Sequence, residues 1–149
     1  MRMTRATSAE TSTVAYHQGR LIDHVHLRVR DLEVSKRFYV AALGALGSLD
    51  GFGEGVGYFF VDELFVDVTD RFPSSVHLAF QARDEDAVKR FYEAALRAGG
   101  KGNGAPGLRS YHANYFSAFV LDPDGNNVEA VWHGDTERSA ESIIVERNR

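Results

Sequence analysis

The sequence predicts an α+β fold made of two tandem βαβββ modules, and three observations carry that prediction. The first is an internal repeat. Shifted by 53 positions, residues 24–47 lie on residues 77–100 with 12 identities in 24 pairs, among them His24/His77, Asp31/Asp84, Phe38/Phe91 and Tyr39/Tyr92. The second is an alternation of apolar and polar residues in short runs around each repeat, the period of half-buried strands. The third is one helical run per repeat, opened by an aspartate of the N-cap type. Two copies of one unit in a short chain pack about a pseudo-twofold axis, which brings equivalent residues together. The first equivalent pair is a histidine from each copy.

Residues 22–29 alternate and are rich in β-branched and apolar types, so they form the first strand. Asp31 caps a helix running to about Leu46, with Leu32, Val34, Phe38, Tyr39, Ala42 and Leu43 at helical spacing. Gly44, Gly47 and the glycines from Gly51 to Gly57 end it and open a region of turns. Strands follow over residues 57–61 and 63–69, with a short one over 50–53 before them. Pro73-Ser74-Ser75 links the halves.

The second copy repeats the order with a strand over 75–82 and a helix over 84–98, Ala87, Val88, Phe91, Ala95 and Leu96 facing inward. Strands over 115–121 and 126–133 are joined by Asp122-Pro123-Asp124-Gly125, a hairpin signal because Asp-Gly tolerates positive φ. The glycine-rich stretch over 99–107 lacks the Gly-Lys-Ser/Thr ending of a phosphate loop and reads as a mobile lip. The expected organisation is an N-terminal arm over 1–20, one domain over 21–133 with modules 21–70 and 75–133, and a polar C-terminal extension over 134–149.

At 149 residues with 44% apolar and 26% charged composition, the chain can bury one real core. A net charge of −4 argues against a nucleic-acid partner, because no Lys/Arg stripe stands ready to neutralise phosphates. Cysteine is absent, which removes disulfides, thiolate nucleophiles and zinc–sulfur sites. The apolar runs fall far short of the ~20 residues of a membrane span. Residues 1–20 have no apolar stretch of the secretory kind. The expected location is the cytoplasm.

Side-chain parity then separates two faces on four strands. Val25, Leu27 and Val29 oppose His24, His26 and Arg28; Leu64, Val66 and Val68 oppose Phe65, Asp67 and Thr69. Val76, Leu78 and Phe80 oppose His77, Ala79 and Gln81; Val128, Ala130 and Trp132 oppose Asn127, Glu129, Val131 and His133. Every one of these strands has an apolar face fit to cover a helix and a second face carrying a histidine or a carboxylate.

Four segments carry a family resemblance: His24-Val-His-Leu-Arg-Val-Arg-Asp-Leu32, the helix with Phe38-Tyr39, His77-Leu-Ala-Phe80, and Asp122-Pro-Asp-Gly-Asn-Asn-Val-Glu129. Over residues 21–133 the chain resembles the vicinal oxygen chelate superfamily, which includes glyoxalase I, extradiol dioxygenases, and fosfomycin- and bleomycin-resistance proteins. The resemblance implies that the modules curve into a cup-shaped mixed sheet, helices outside, around a divalent metal. The positions it carries over are His24, Asp67, His77 and Glu129. It implies His24, His77 and Glu129 as metal ligands, with Asp67 either a further ligand or a hydrogen-bonding carboxylate. Two imidazoles and a carboxylate with open positions suit Fe, Mn, Ni or Zn.

His26, on the same face as His24, is a partner of the ligands, a substrate contact or part of the cup wall. Tyr111, His112, Tyr115, Phe119 and Phe65 are the remaining substrate-facing candidates. Extradiol dioxygenases carry a tyrosine ten residues before the motif glutamate, and Phe119 stands there instead. That departure speaks against ring cleavage. The expected function is a metal-dependent lyase or isomerase of glyoxalase type acting on a small substrate with adjacent oxygens, Glu129 or Asp67 moving a proton. The rival readings are a metal-free drug- or metabolite-binding protein and an extradiol-type dioxygenase. A homodimer is expected, with the cup formed within one chain or swapped between two.

Overall fold

Asp31 and Asp84, equivalent in the repeat, start their helices in the same way. Asp31 Oδ1 accepts from Val34 N at 3.0 Å and Asp84 Oδ1 from Ala87 N at 2.7 Å. Each satisfies one of the amide donors that a helix start leaves unpaired. The computed structural model describes residues 18–139 and 141–144, so most of the arm expected over 1–20 lies outside the described residues. The chain divides into two units. Residues 23–137 form one and hold every described helix and strand; the other comprises residues 1–22 and 138–149.

The first module runs β1 (Val25–Val29), α1 (Leu32–Ala45), β2 (Phe52–Gly55), β3 (Tyr58–Val61) and β4 (Leu64–Val68). The second runs β5 (His77–Gln81), α2 (Glu85–Arg97), β6 (Lys101–Leu108), β7 (Phe116–Leu121) and β8 (Asn127–Trp132). Each makes a four-stranded mixed sheet of the same topology, β1-β4-β3-β2 and β5-β8-β7-β6. In both, the first strand pairs parallel with the last, and the rest are antiparallel. This is the expected duplicated βαβββ architecture.

Helical periodicity explains how the two modules join. Phe38 and Phe91, a repeat pair, are both fully buried and lie in one apolar cluster with Leu27, Val66, Val120 and Val128. Burial of each such phenyl group stabilises by about 1.5–3 kcal/mol. Helices α1 and α2 also pack on each other. Among the described residues no helix is long and apolar enough to cross a membrane.

A polar knot ties the turn before β8 to the first module. Asp122, buried, accepts from Tyr39 Oη at 2.6 Å and Asn126 Nδ2 at 2.9 Å on Oδ2, and from the amides of Asp124 and Asn126 on Oδ1. Asn126 Oδ1 in turn accepts from Val76 N at 2.8 Å, just ahead of β5. The knot fixes where β5 and β8 begin, and with them His77 and Glu129. Burial and the neighbouring Asp122 carboxylate push the Tyr39 phenol well above its ordinary value, so its proton stays on the bond.

One expectation fails. The glycine-rich stretch read as a mobile lip is strand β6, paired antiparallel with β7 through two register shifts around Gly104. Glycine and proline suit the outer edge of a sheet, where no second neighbour claims their backbone groups. At Gly104 a Cβ would come within 2.8 Å of the Phe119 ring, so glycine lets that ring lie against the strand.

Candidate functional site

On the second sheet, β8 presents Glu129 on the face opposite Val128 and Ala130. A carboxylate there would normally reach water, yet Glu129 is only 1% exposed. Its neighbours account for the difference. Tyr115 Oη donates to Oε1 at 2.5 Å, and His77 Nε2 from β5 meets Oε2 at 2.8 Å. Phe119, cross-strand partner of Glu129 on β7, lies 5.8 Å from the His77 ring between centroids. Both carboxylate oxygens are thus engaged, which offsets the cost of burying the charge. Burial, then the hydrogen bond to Glu129, raises the Tyr115 phenol far above its usual range and keeps it a donor.

The segment between β6 and β7 closes this face. Arg109 Nη2 donates to Ala105 O at 2.5 Å and Ser117 O at 3.2 Å, and its guanidinium lies 5.3 Å from the Phe119 centroid. Tyr111 and His112 both meet the Tyr115 ring edge-on. His112 Nε2 and His133 Nδ1 are 2.9 Å apart, with 5.0 Å between ring centroids and 16° between planes. That centroid distance is close to the N···N separation plus a ring radius at each end, so the rings lie edge to edge rather than stacked. His112 Nδ1 is occupied by Ala113 O at 2.8 Å, so in the neutral pair His133 Nδ1–H donates to His112 Nε2. Burial and His112 hold the His133 imidazole below its ordinary value.

The first sheet carries a smaller counterpart. His26 Nε2 stands 2.9 Å from Asp67 Oδ1, on β1 and β4. The distance is that of a hydrogen bond but the direction is not, and Asp67 Oδ1 is buried with no hydrogen-bond partner. His26 meets Phe65 edge-on at 5.2 Å, and Tyr58 stacks on Phe65 at 5.3 Å. An open cleft of about 660 Å³ beside Asp67 is lined by Arg28, Arg30, Thr69 and Arg71. It includes neither His77 nor Glu129, so side-chain chemistry, rather than this cleft, marks the site.

The structure therefore brings His77, Glu129, Tyr115 and Phe119 together, and separately His26, Asp67 and Phe65. His24 precedes β1, is exposed, and pairs with Asp23 at 2.6 Å. Among the described residues no group of three or more His, Asp and Glu side chains converges to hold a metal. The two sheets offer one donor pair each among the described residues. Each consists of a histidine Nε2 and a carboxylate oxygen 2.8–2.9 Å apart. Ligand atoms about 2.1 Å from a shared ion stand about 3 Å apart when they lie at a right angle. The orphaned Asp67 Oδ1 and this spacing fit a divalent metal.

Three participants escaped the sequence reading. Tyr58 is the cross-strand partner of Asp67 as Phe119 is of Glu129. Arg109 follows the glycine-rich stretch with no pattern to mark it. His133 shares strand parity with Glu129, a signal present in the sequence but silent about His112.

A family model described as the glyoxalase/bleomycin resistance protein/dioxygenase superfamily matches residues 21–130. Among solved structures, a glyoxalase/bleomycin resistance protein from Albidiferax ferrireducens T118 is 30% identical, with 74% of this chain and 96% of that one covered and a TM-score of 0.62. A glyoxalase-related enzyme from Fulvimarina pelagi is 22% identical over 75% and 87% of the two chains, TM-score 0.57, a likeness of fold. A glyoxalase I variant from Zea mays is 27% identical, covering 72% of this chain and 44% of that one, TM-score 0.52. A search of curated proteins finds no match.

Proposed function

Because the chain belongs to the glyoxalase/bleomycin resistance protein/dioxygenase superfamily, we propose that it is a divalent-metal-dependent enzyme of lyase or isomerase type. Its substrate would be a small molecule with two adjacent oxygens. The observation that supports this most is Glu129, a buried carboxylate held at one oxygen by His77 and at the other by Tyr115.

His77 and Glu129 would hold the metal from the second module, with a donor from the first completing the set. When bound, such an ion polarises adjacent substrate oxygens and stabilises the oxyanion that develops on them. Phe119, Tyr115 and Tyr111 supply an aromatic wall for the substrate's apolar part. Arg28, Arg30 and Arg71 beside Asp67 favour negative charge on the other side. Proton transfer falls to the carboxylates. The Asp67 oxygen not committed to the metal can take a proton, while Tyr115 and His77 keep Glu129 in place. Each module bears one donor pair, so a full ligand set draws on both, within one chain or between two copies of a cytoplasmic homodimer.

Elemental analysis of protein purified without a metal column tests the proposal, followed by turnover of a panel of vicinal-dioxygen compounds. Chelation should abolish turnover, and Fe(II), Mn(II), Ni(II) or Zn(II) should restore it. A chelated protein that binds a ligand of the panel unchanged, with no turnover in any metal form, would instead establish a binding protein that uses the aromatic wall.

A further inference from the structure

The repeat and the sheets disagree about which histidine, His24 just before β1 or His26 within it, corresponds to His77. Aligned on the helices, His24 does, since it precedes Asp31 by as many residues as His77 precedes Asp84. Aligned on the sheets, a different residue takes the place. Glu129 is the cross-strand partner of Ala79, and His77 lies two residues earlier on the same face. Asp67 is the cross-strand partner of Arg28, and the residue two positions earlier is His26. The aromatic neighbours obey the second frame. Phe119 stands opposite Glu129 and Tyr58 opposite Asp67.

The contacts follow the sheet. His26 Nε2 and Asp67 Oδ1 are 2.9 Å apart, His77 Nε2 and Glu129 Oε2 2.8 Å, with the same ring nitrogen used in both. The position on β4 that would serve His24 in this way is residue 65, the cross-strand partner of His26, and it is a phenylalanine. His24 turns to Asp23 instead. The first module's polar pair has moved along the strand by two residues, about 6–7 Å, relative to its helix.

We infer that the donor pair of the first module is His26 with Asp67, and that His24 is not a metal ligand in this protein. The inference rests on the metal reading above and fixes which side chains carry it. Parity permits the move, because a shift of two residues keeps the donor on the same face. The orphaned Asp67 Oδ1 supports it, since metal ligation would give that buried atom its missing partner.

The test is Co(II) titration of the full-length apo-protein, read by calorimetry and by the visible absorption of the bound ion. His26→Ala and Asp67→Asn should each weaken Co(II) binding by at least about tenfold and alter the spectrum. His24→Ala should leave both unchanged. His26 is partly exposed, so His26→Gln provides a second variant that leaves the core untouched. In long-range ¹H–¹⁵N spectra of the wild type, Zn(II) should move the ring resonances of His26 and His77 and spare His24. Loss of Co(II) binding in His24→Ala, or its retention in both His26 variants, overturns the inference while leaving the metal reading intact. A wild-type protein that binds neither Co(II) nor Zn(II) overturns the metal reading itself.

Discussion

The two modules share a scaffold but have drifted apart on the face where chemistry would occur. Their helices keep the capping aspartates, the buried phenylalanines and most of the repeat identities. Their sheets keep topology and the spacing of a histidine and a carboxylate. Around that pair they differ. In the second module Tyr115, Phe119 and Arg109 enclose Glu129, whereas in the first Asp67 is half-buried beside an open cleft. A long β6 and the segment up to β7 make the difference; the corresponding stretch of the first module is the short β2 and a tight turn. Duplication here preserves the elements that folding needs, while the polar faces diverge: one pair is enclosed and the other stands beside an open cleft.

The largest effect should come from removing charge on the enclosed side. Glu129→Gln keeps shape but removes the charge and turns one of its two acceptor oxygens into a donor, so that either His77 or Tyr115 loses its acceptor. It is expected to lower turnover at least about a hundredfold, with little change in unfolding temperature. Asp67→Asn should cost less, because its surroundings are open and can readjust. Equal losses in side-by-side kinetics and metal analysis would erase the asymmetry between the halves.

A second contrast concerns a repeat pair within the scaffold. Tyr39→Phe strands the buried Asp122 carboxylate of one donor and should cost about 1–3 kcal/mol in chemical denaturation. Tyr92→Phe, at the partly exposed equivalent, should fall within about 0.5 kcal/mol of wild type. Similar values for the two would show that the knot matters less than its burial implies.

The smallest effect is a slope. His133 titrates lower in the folded state than its ordinary value near 6.5, so the unfolded chain binds that proton more readily. Its contribution to stability is therefore present above about pH 6.5 and declines as pH falls towards the depressed folded value. His133→Asn should flatten the pH dependence of stability in that window. An unchanged slope would mean that His133 is not held neutral by its neighbours.

The sequence makes the scaffold legible because capping, helical spacing and strand parity are local. Asp31, Asp84 and the turn at Asp122–Gly125 need only their neighbours in the chain to be read. The placement of Glu129 opposite Val128 and Ala130 follows from alternation alone. Strand β6 is not legible in this way, since a run of glycines has no side-chain period and its pairing is decided by β7. The choice between His24 and His26 is hidden for another reason. It depends on the register between β1 and β4, strands separated by a helix and two other strands, which parity leaves undetermined by multiples of two. The edge-to-edge pairing of His112 with His133 likewise arises only once β7 and β8 have paired, setting Phe116 opposite Trp132 and bringing the segments beside them together.

The knot at Asp122 has a consequence for how the protein opens. Its carboxylate is shared by a helix of one half and a turn of the other, so the halves cannot separate without leaving a charge buried or flooding the seam. Local openings that stop at the module boundary are thereby disfavoured, and the boundary of repetition should not be a boundary of cooperativity. Amides of β5 and β8 should exchange with solvent at the same opening free energy as those of α1, although the sequence between Phe72 and Val76 resembles a linker.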